Sequence, residues 1–356
     1  MANRYWVGGT GTWNGTSTTN WSASSGGASG ATVPTLVDSV FFDANSNTGT
    51  AAFTVTLATA TANCLDFDAT AVDGVMTMAG TTSINIYGNF LLPATNFTRT
   101  YTGNTSFTAV ATGKTVDFNG TSWASNIGFN GVGGGWTLSN PLITTGNISL
   151  TNGSFNSNNK NVTCAVFNFN NVNTKTLTLG TSTVTITGGT STTGFVGANS
   201  NTTYSVSSST IVFSNTGCFA GGSAGATGTQ FGTLTMSASG GTLYLGTGAT
   251  TVARCTTLNN TVQPCTITHA CTTSFTVDTF NVSGTAGNLV TFNSNTAGTA
   301  RTINKTSGTT NAYYMNIQDS TATGGTWNAY NSTNSGNNTN WNFLTANSGN
   351  FLMFFN

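Results

Sequence analysis

The sequence predicts an all-β chain, a right-handed parallel β-helix or solenoid, on three observations. Apolar residues come in short period-2 pairs such as Ile84/Ile86, Ile148/Leu150, Leu177/Leu179, Val184/Ile186, Leu243/Leu245 and Val290/Phe292, with Thr, Ser, Asn or Tyr between the members. This alternation is strand periodicity with one buried face, and no segment carries the sustained apolar stripe of a helix. The second observation is composition. Glycine accounts for 44 of the 356 residues, charged residues make up 4% and glutamate is absent, so hydroxyls and amides stand where ions would. Such a surface suits long regular β-structure with Thr, Ser and Asn on its outward faces. Third, Thr176-Leu177-Thr178-Leu179-Gly180 returns as Thr242-Leu243-Tyr244-Leu245-Gly246. Two or three short strands per roughly 20–25 residues is the spacing of solenoid coils. A tandem β-sandwich is the alternative, because Asn152-Gly153, Gly188-Gly189 and Gly240-Gly241 could equally turn hairpins.

In chain order, residues 1–45 hold Trp6, Trp13 and Trp21 in Gly- and Ser-rich loops, then Val33-Pro34-Thr35 and Val40-Phe41-Phe42-Asp43. An open solenoid end invites strand addition, so this atypical stretch is expected to be an N-terminal cap. Residues 46–343 are the β-helix body, admissible at that length because each coil contacts only its neighbours. Residues 344–356 form an apolar tail ending in Phe351-Leu352-Met353-Phe354-Phe355. Five consecutive large apolar side chains either fold over the last coil or bury against a partner, and both readings stand.

Composition removes several classes of function. Eight basic residues balance eight aspartates and are dispersed, so there is no Lys/Arg cluster for nucleic-acid phosphates or an anionic membrane. A hydrophobic content of 37% with 23 phenylalanines separates the chain from disordered polar tails. The start Met1-Ala2-Asn3-Arg4-Tyr5-Trp6 has no apolar signal region and no later run approaches a spanning helix. Synthesis in the cytosol without export by the usual route is therefore expected. The six cysteines are too sparse for a disulfide scaffold and read as small, reduced, buried hydrophobes.

The two ends carry a pattern. Arg4-Tyr5-Trp6-Val7-Gly8-Gly9, Gly11-Thr12-Trp13, Thr19-Asn20-Trp21-Ser22, Val33-Pro34-Thr35 and Asp38-Ser39-Val40-Phe41-Phe42-Asp43 resemble the opening of β-helical virion proteins of tailed bacteriophages. Gly284-Thr285-Ala286-Gly287-Asn288, Gln318-Asp319-Ser320, Trp327-Asn328-Ala329 and Gly336-Asn337-Asn338 followed by Trp341-Asn342-Phe343 resemble their closing section. Similar segments occur in bacterial β-helix surface adhesins, whose signal peptide and membrane anchor this sequence does not match. The resemblance covers about a third of the chain. It implies a non-enzymatic structural protein on the virion surface, as a capsid decoration, fibre or tailspike. Its partners would be other virion proteins and copies of itself, a trimer being one order that hides the tail. The alternatives are a receptor-binding adhesin for a host surface glycan and a polysaccharide depolymerase.

Four groups of residues bear on those alternatives. Asp66 and Asp68 in Cys64-Leu65-Asp66-Phe67-Asp68 would share a strand face about 6.5–7 Å apart, the separation of an inverting glycosidase pair, or be plain outward polar residues. Cys255, Cys265, His269 and Cys271 are zinc-ligand types, but on one strand the last three spread over ~20 Å, too far for one tetrahedral ion. Neither a metal nor a cofactor is expected. Gly131-Val132-Gly133-Gly134-Gly135 lacks the Lys and the strand–helix setting of a phosphate loop and reads as a turn. Trp123 and Trp136, in a Gly/Asn-rich region, are the candidates for a platform stacking on sugar rings, or else they anchor loops in the core.

Overall fold

Among residues 1–197, 201–221, 230–246 and 254–345, which the computed structural model describes, every regular element is a β-strand. They form a parallel β-solenoid. The tandem sandwich is overturned by strand direction, because a sandwich is built from antiparallel hairpins. Among the described residues, antiparallel pairing is confined to Asn3–Trp6 with Trp21–Ser22 and an isolated bridge between Thr285 and Asn288. The chain divides into two compact units, Met1–Gly188 with Asn199–Ser209, and Gly189–Ala198 with Thr210–Asn356. The division falls inside the stretch 46–343 read as a single body.

In the first unit, successive coils place like residues one above another. Phe67 pairs with Phe90, Phe90 with Val116 and Val116 with Leu138. On a neighbouring ladder the column is Cys64, Ile86, Phe107, Phe129 and Leu150. Each period-2 pair named above puts both members in the core. The intervening polar residues bond outside it, as where Asn85 donates to Asn63 at 3.1 Å, 22 residues earlier, and Asn152 to Asn130 at 2.7 Å. Dispersion and apolar burial inside, with amide ladders outside, thus act on the same register, which a one-residue slip would invert.

The Trp-rich cap forms as expected. Trp6, Trp13 and Trp21 are buried, with Trp21 edge-on to Trp6 at 5.0 Å and to Trp13 at 5.1 Å. Below them Phe42 stands 5.9 Å from Trp6 and 5.1 Å from Phe67, so the cap continues into the aromatic column of the body. Asp38 ties the cap together by accepting from the amides of Ala2 and Thr35 and from the Thr35 hydroxyl at 2.7 Å. Burial alone would raise its pKa; those bonds and the charge of Arg4 outweigh it and hold the carboxyl below its ordinary value.

The second unit repeats the design. One column runs Leu243, Ile267, Phe292 and Ile317, and another Leu234, Leu258 and Phe280. Its last ladder joins Thr309–Tyr313, Thr326–Tyr330 and Trp341–Leu344, with Trp327 and Trp341 in contact at 5.1 Å. Outside, Asn328 donates to Asn311 at 2.9 Å and Asn342 to Asn328 at 3.1 Å.

Two turn assignments are corrected. Asn152-Gly153 lies inside the strand Ile148–Asn156, and the glycine run 131–135 lies inside Ile127–Leu138. Pairing between these strands is irregular at Phe129/Asn130 and Asn130/Gly135, so the glycines serve a bulge and a bend. Many corners use asparagine instead: Asn96, Asn119, Asn158, Asn159, Asn331, Asn337 and Asn340 all have positive φ.

Candidate functional site

Trp123 and Trp136 do not form the sugar platform, because both belong to the core at 0% and 1% exposure. Trp123 packs on Phe118 at 5.1 Å and Tyr101 at 5.6 Å, and its Nε1 donates to the Thr105 hydroxyl at 3.0 Å. Trp136 lies against Phe129 at 5.3 Å, and glycine closes over it. A Cβ at Gly134 would stand 2.9 Å from its Cη2, and one at Gly153 3.0 Å from its Cζ3. The glycine content that suggested an open loop therefore covers the ring. Phe351, Leu352, Met353, Phe354 and Phe355 lie outside the described residues.

Asp66 and Asp68 do not share a strand. The segment breaks into Ala62–Cys64 and Phe67–Ala71, with Leu65 and Asp66 at the corner and Leu65 only half-buried. Asp66 links three coils by accepting from the Ser39 hydroxyl at 2.7 Å, the Asn89 amide at 2.7 Å and the Asn89 side chain at 3.0 Å. Asp68 accepts from the backbone and hydroxyl of Thr70 at 2.9 and 2.6 Å. Asp66→Asn replaces one acceptor oxygen by a donor and is expected to cost about 1–3 kcal/mol, read by hydrogen exchange of peptides from the first unit. Protection of those peptides equal to that in the parent protein would show that the link carries no stability.

The Cys/His group is likewise divided among core positions. Cys255 stacks between Phe231 and Val277 in one ladder, while His269 stacks between Leu245 and Ser294 in another. No group of three metal-ligand side chains converges among the described residues. Cys271 donates its thiol to the Leu245 carbonyl, and burial raises the pKa of Cys255 and Cys265. His269 is buried edge-on to Phe275, and neither ring nitrogen has a hydrogen-bond partner. Burial, and then the charge of Arg301, push its pKa from 6.5 down to about 4.

The unfolded chain therefore takes up the His269 proton first as pH falls. The neutral imidazole's contribution is complete above about pH 6.5 and is lost towards pH 4, a difference of roughly 3 kcal/mol. His269→Leu should flatten the stability profile across that window, read by hydrogen exchange of peptides from the second unit at pH 7.5 and 4.5. Equal slopes for the two proteins would refute this.

Beside Trp136 the first unit carries a groove of about 610 Å³. Its walls come from successive coils, at Thr112, Val132–Gly134, Asn152–Ser154 and Val172–Thr176. Sequence reasoning missed it, although Gly131-Val132-Gly133-Gly134-Gly135 was its signal: a valine held among glycines in a bulge is lifted off the core. Lys175, one of the eight dispersed basic residues, also lines it and is 2% exposed.

Comparison with family models, with curated proteins and with solved structures finds no match in any of the three. The class to which the chain is assigned by its geometry is the parallel β-solenoid, defined by the ladders above.

Proposed function

We propose that the chain is a non-enzymatic structural protein of a phage particle, displayed on the virion surface as a decoration, fibre or spike. The supporting observation is where the virion-like segments fall. Those at the start build the Trp6, Trp13 and Trp21 cap, and those at the end build the Trp327 and Trp341 coils, so the resemblance tracks structural elements. In each unit, hydrogen-bonded coils over a packed core resist bending. The nearly ion-free surface should lose little stability at high ionic strength, since few pairs are available to screen. Asp66 and Asp68 are held in coil and turn contacts, which favours this reading over a depolymerase. The partners are other virion proteins and further copies of the chain.

Quantitative mass spectrometry of density-purified particles tests the proposal through copies of this chain per major capsid subunit. A ratio near one indicates a decoration protein, and a handful of copies a fibre or spike. Absence from the particles overturns the proposal.

A further inference from the structure

The groove on the first unit has the features of a binding site, whatever particle or surface displays the chain. It is made by an irregularity. Between Ile127–Leu138 and Ile148–Asn156 the pairing steps from Asn130 to Gly135, leaving residues 131–134 as a bulge that raises one wall. Val132 tops that wall at 76% exposure, and Val172 stands exposed at 77% on another coil lining the groove. Between them the floor is glycine over the buried Trp136 indole, and the remaining lining includes the hydroxyls and amides of Thr112, Asn152, Ser154 and Thr176.

Charge is what marks the groove. Lys175 Nζ donates to the carbonyls of Asn171 at 2.8 Å and Asn173 at 2.7 Å, which satisfies two of its three N–H groups with neutral acceptors. Among the described residues the ion pair found is Arg254 with Asp278, so no described carboxylate neutralises Lys175. Burial pulls its pKa below the ordinary lysine value. A cation held by dipoles alone, at the wall of a concave site, projects its field into the groove and favours an anion there.

The geometry points to a binding site for a sugar acid: hydroxyls meet the Ser, Thr and Asn lining, C–H faces meet Val132 and Val172, and a carboxylate sits over Lys175. A neutral sugar would leave the lysine field unanswered, and a bare inorganic anion would leave the polar walls and valines unused.

Calorimetric titration of the full chain with tetragalacturonate, its methyl ester and inorganic phosphate tests this. The free acid is expected to bind at least tenfold more tightly than the ester, and that preference should shrink at 0.5 M salt, as expected from roughly threefold shorter screening lengths than at low salt. Lys175→Met should abolish the preference. If loss of the Asn171 and Asn173 bonds disturbs that variant's fold, Val132→Glu decides. It alters only an exposed rim residue, places a negative charge at the mouth, and should lose acid binding with an unchanged circular dichroism spectrum. Equal binding of acid and ester, no binding of either, or undiminished acid binding by Val132→Glu overturns the proposal. Phosphate competing as strongly as the sugar acid would reduce the groove to a plain anion site and overturn it too.

Discussion

Phe90→Ala is expected to destabilise the first unit by about 3–5 kcal/mol, the range for truncating a fully buried aromatic. Phe90 is the hub of the aromatic column, with ring centroids 4.9 Å from Phe118, 5.1 Å from Phe67, 5.8 Å from Phe107 and 6.0 Å from Trp123. It is also paired in register with Phe67 on one side and Val116 on the other. Truncation therefore weakens two coil–coil interfaces at once, and in a solenoid nearest-neighbour interfaces are the principal coupling between repeats. Phe90→Leu keeps most of the volume and should cost less, about 1–1.5 kcal/mol. Because the chain has two compact units, one unfolding midpoint does not describe it, and hydrogen exchange resolved by peptide is the suitable readout. Peptides from 53–138 should lose protection while those from 301–344 keep it. Equal loss in both regions, or a cost under 1 kcal/mol, would refute the hub role.

Much of this fold was legible because its rule is local. A period-2 pair such as Ile84/Ile86 needs only three residues to state which face is buried, and repetition every coil states the rest. The cap was legible for a similar reason, since three tryptophans in a chain otherwise sparse in them mark an end that differs from the body. What stayed hidden depends on alignment between coils. Nothing within Cys64–Asp68 reveals a corner at Leu65 and Asp66; it follows from Ser39 and Asn89, which meet the Asp66 carboxylate from two other coils. Trp136 is buried because Gly134 and Gly153, one coil apart, both close over it. Composition shows Lys175 only as one dispersed charge, and nothing in it tells that the loop 171–173 folds back to take its ammonium. Candidate sites on a solenoid are assembled across coils about 20–25 residues apart, so residue spacing along one strand misplaces them.

The same dependence makes Gly131→Ala the second large effect. A Cβ at Gly131 would stand 1.8 Å from the Ala109 carbonyl oxygen and 2.7 Å from its carbon. Both atoms are backbone, so no rotamer relieves the contact and the coils must separate. Over-packing of this kind reaches or exceeds about 3 kcal/mol. Gly113→Ala is the informative control: its φ is +79° with nothing near the added Cβ, so it isolates the conformational term at about 1–2 kcal/mol. Coil separation at Gly131 would also widen the bulge beneath Val132, so sugar-acid binding should weaken in Gly131→Ala and persist in Gly113→Ala. If the two variants lose equal stability, backbone conformation rather than coil contact explains the glycine. If Gly131→Ala is destabilised but binds as before, the bulge fixes the coil spacing without shaping the groove.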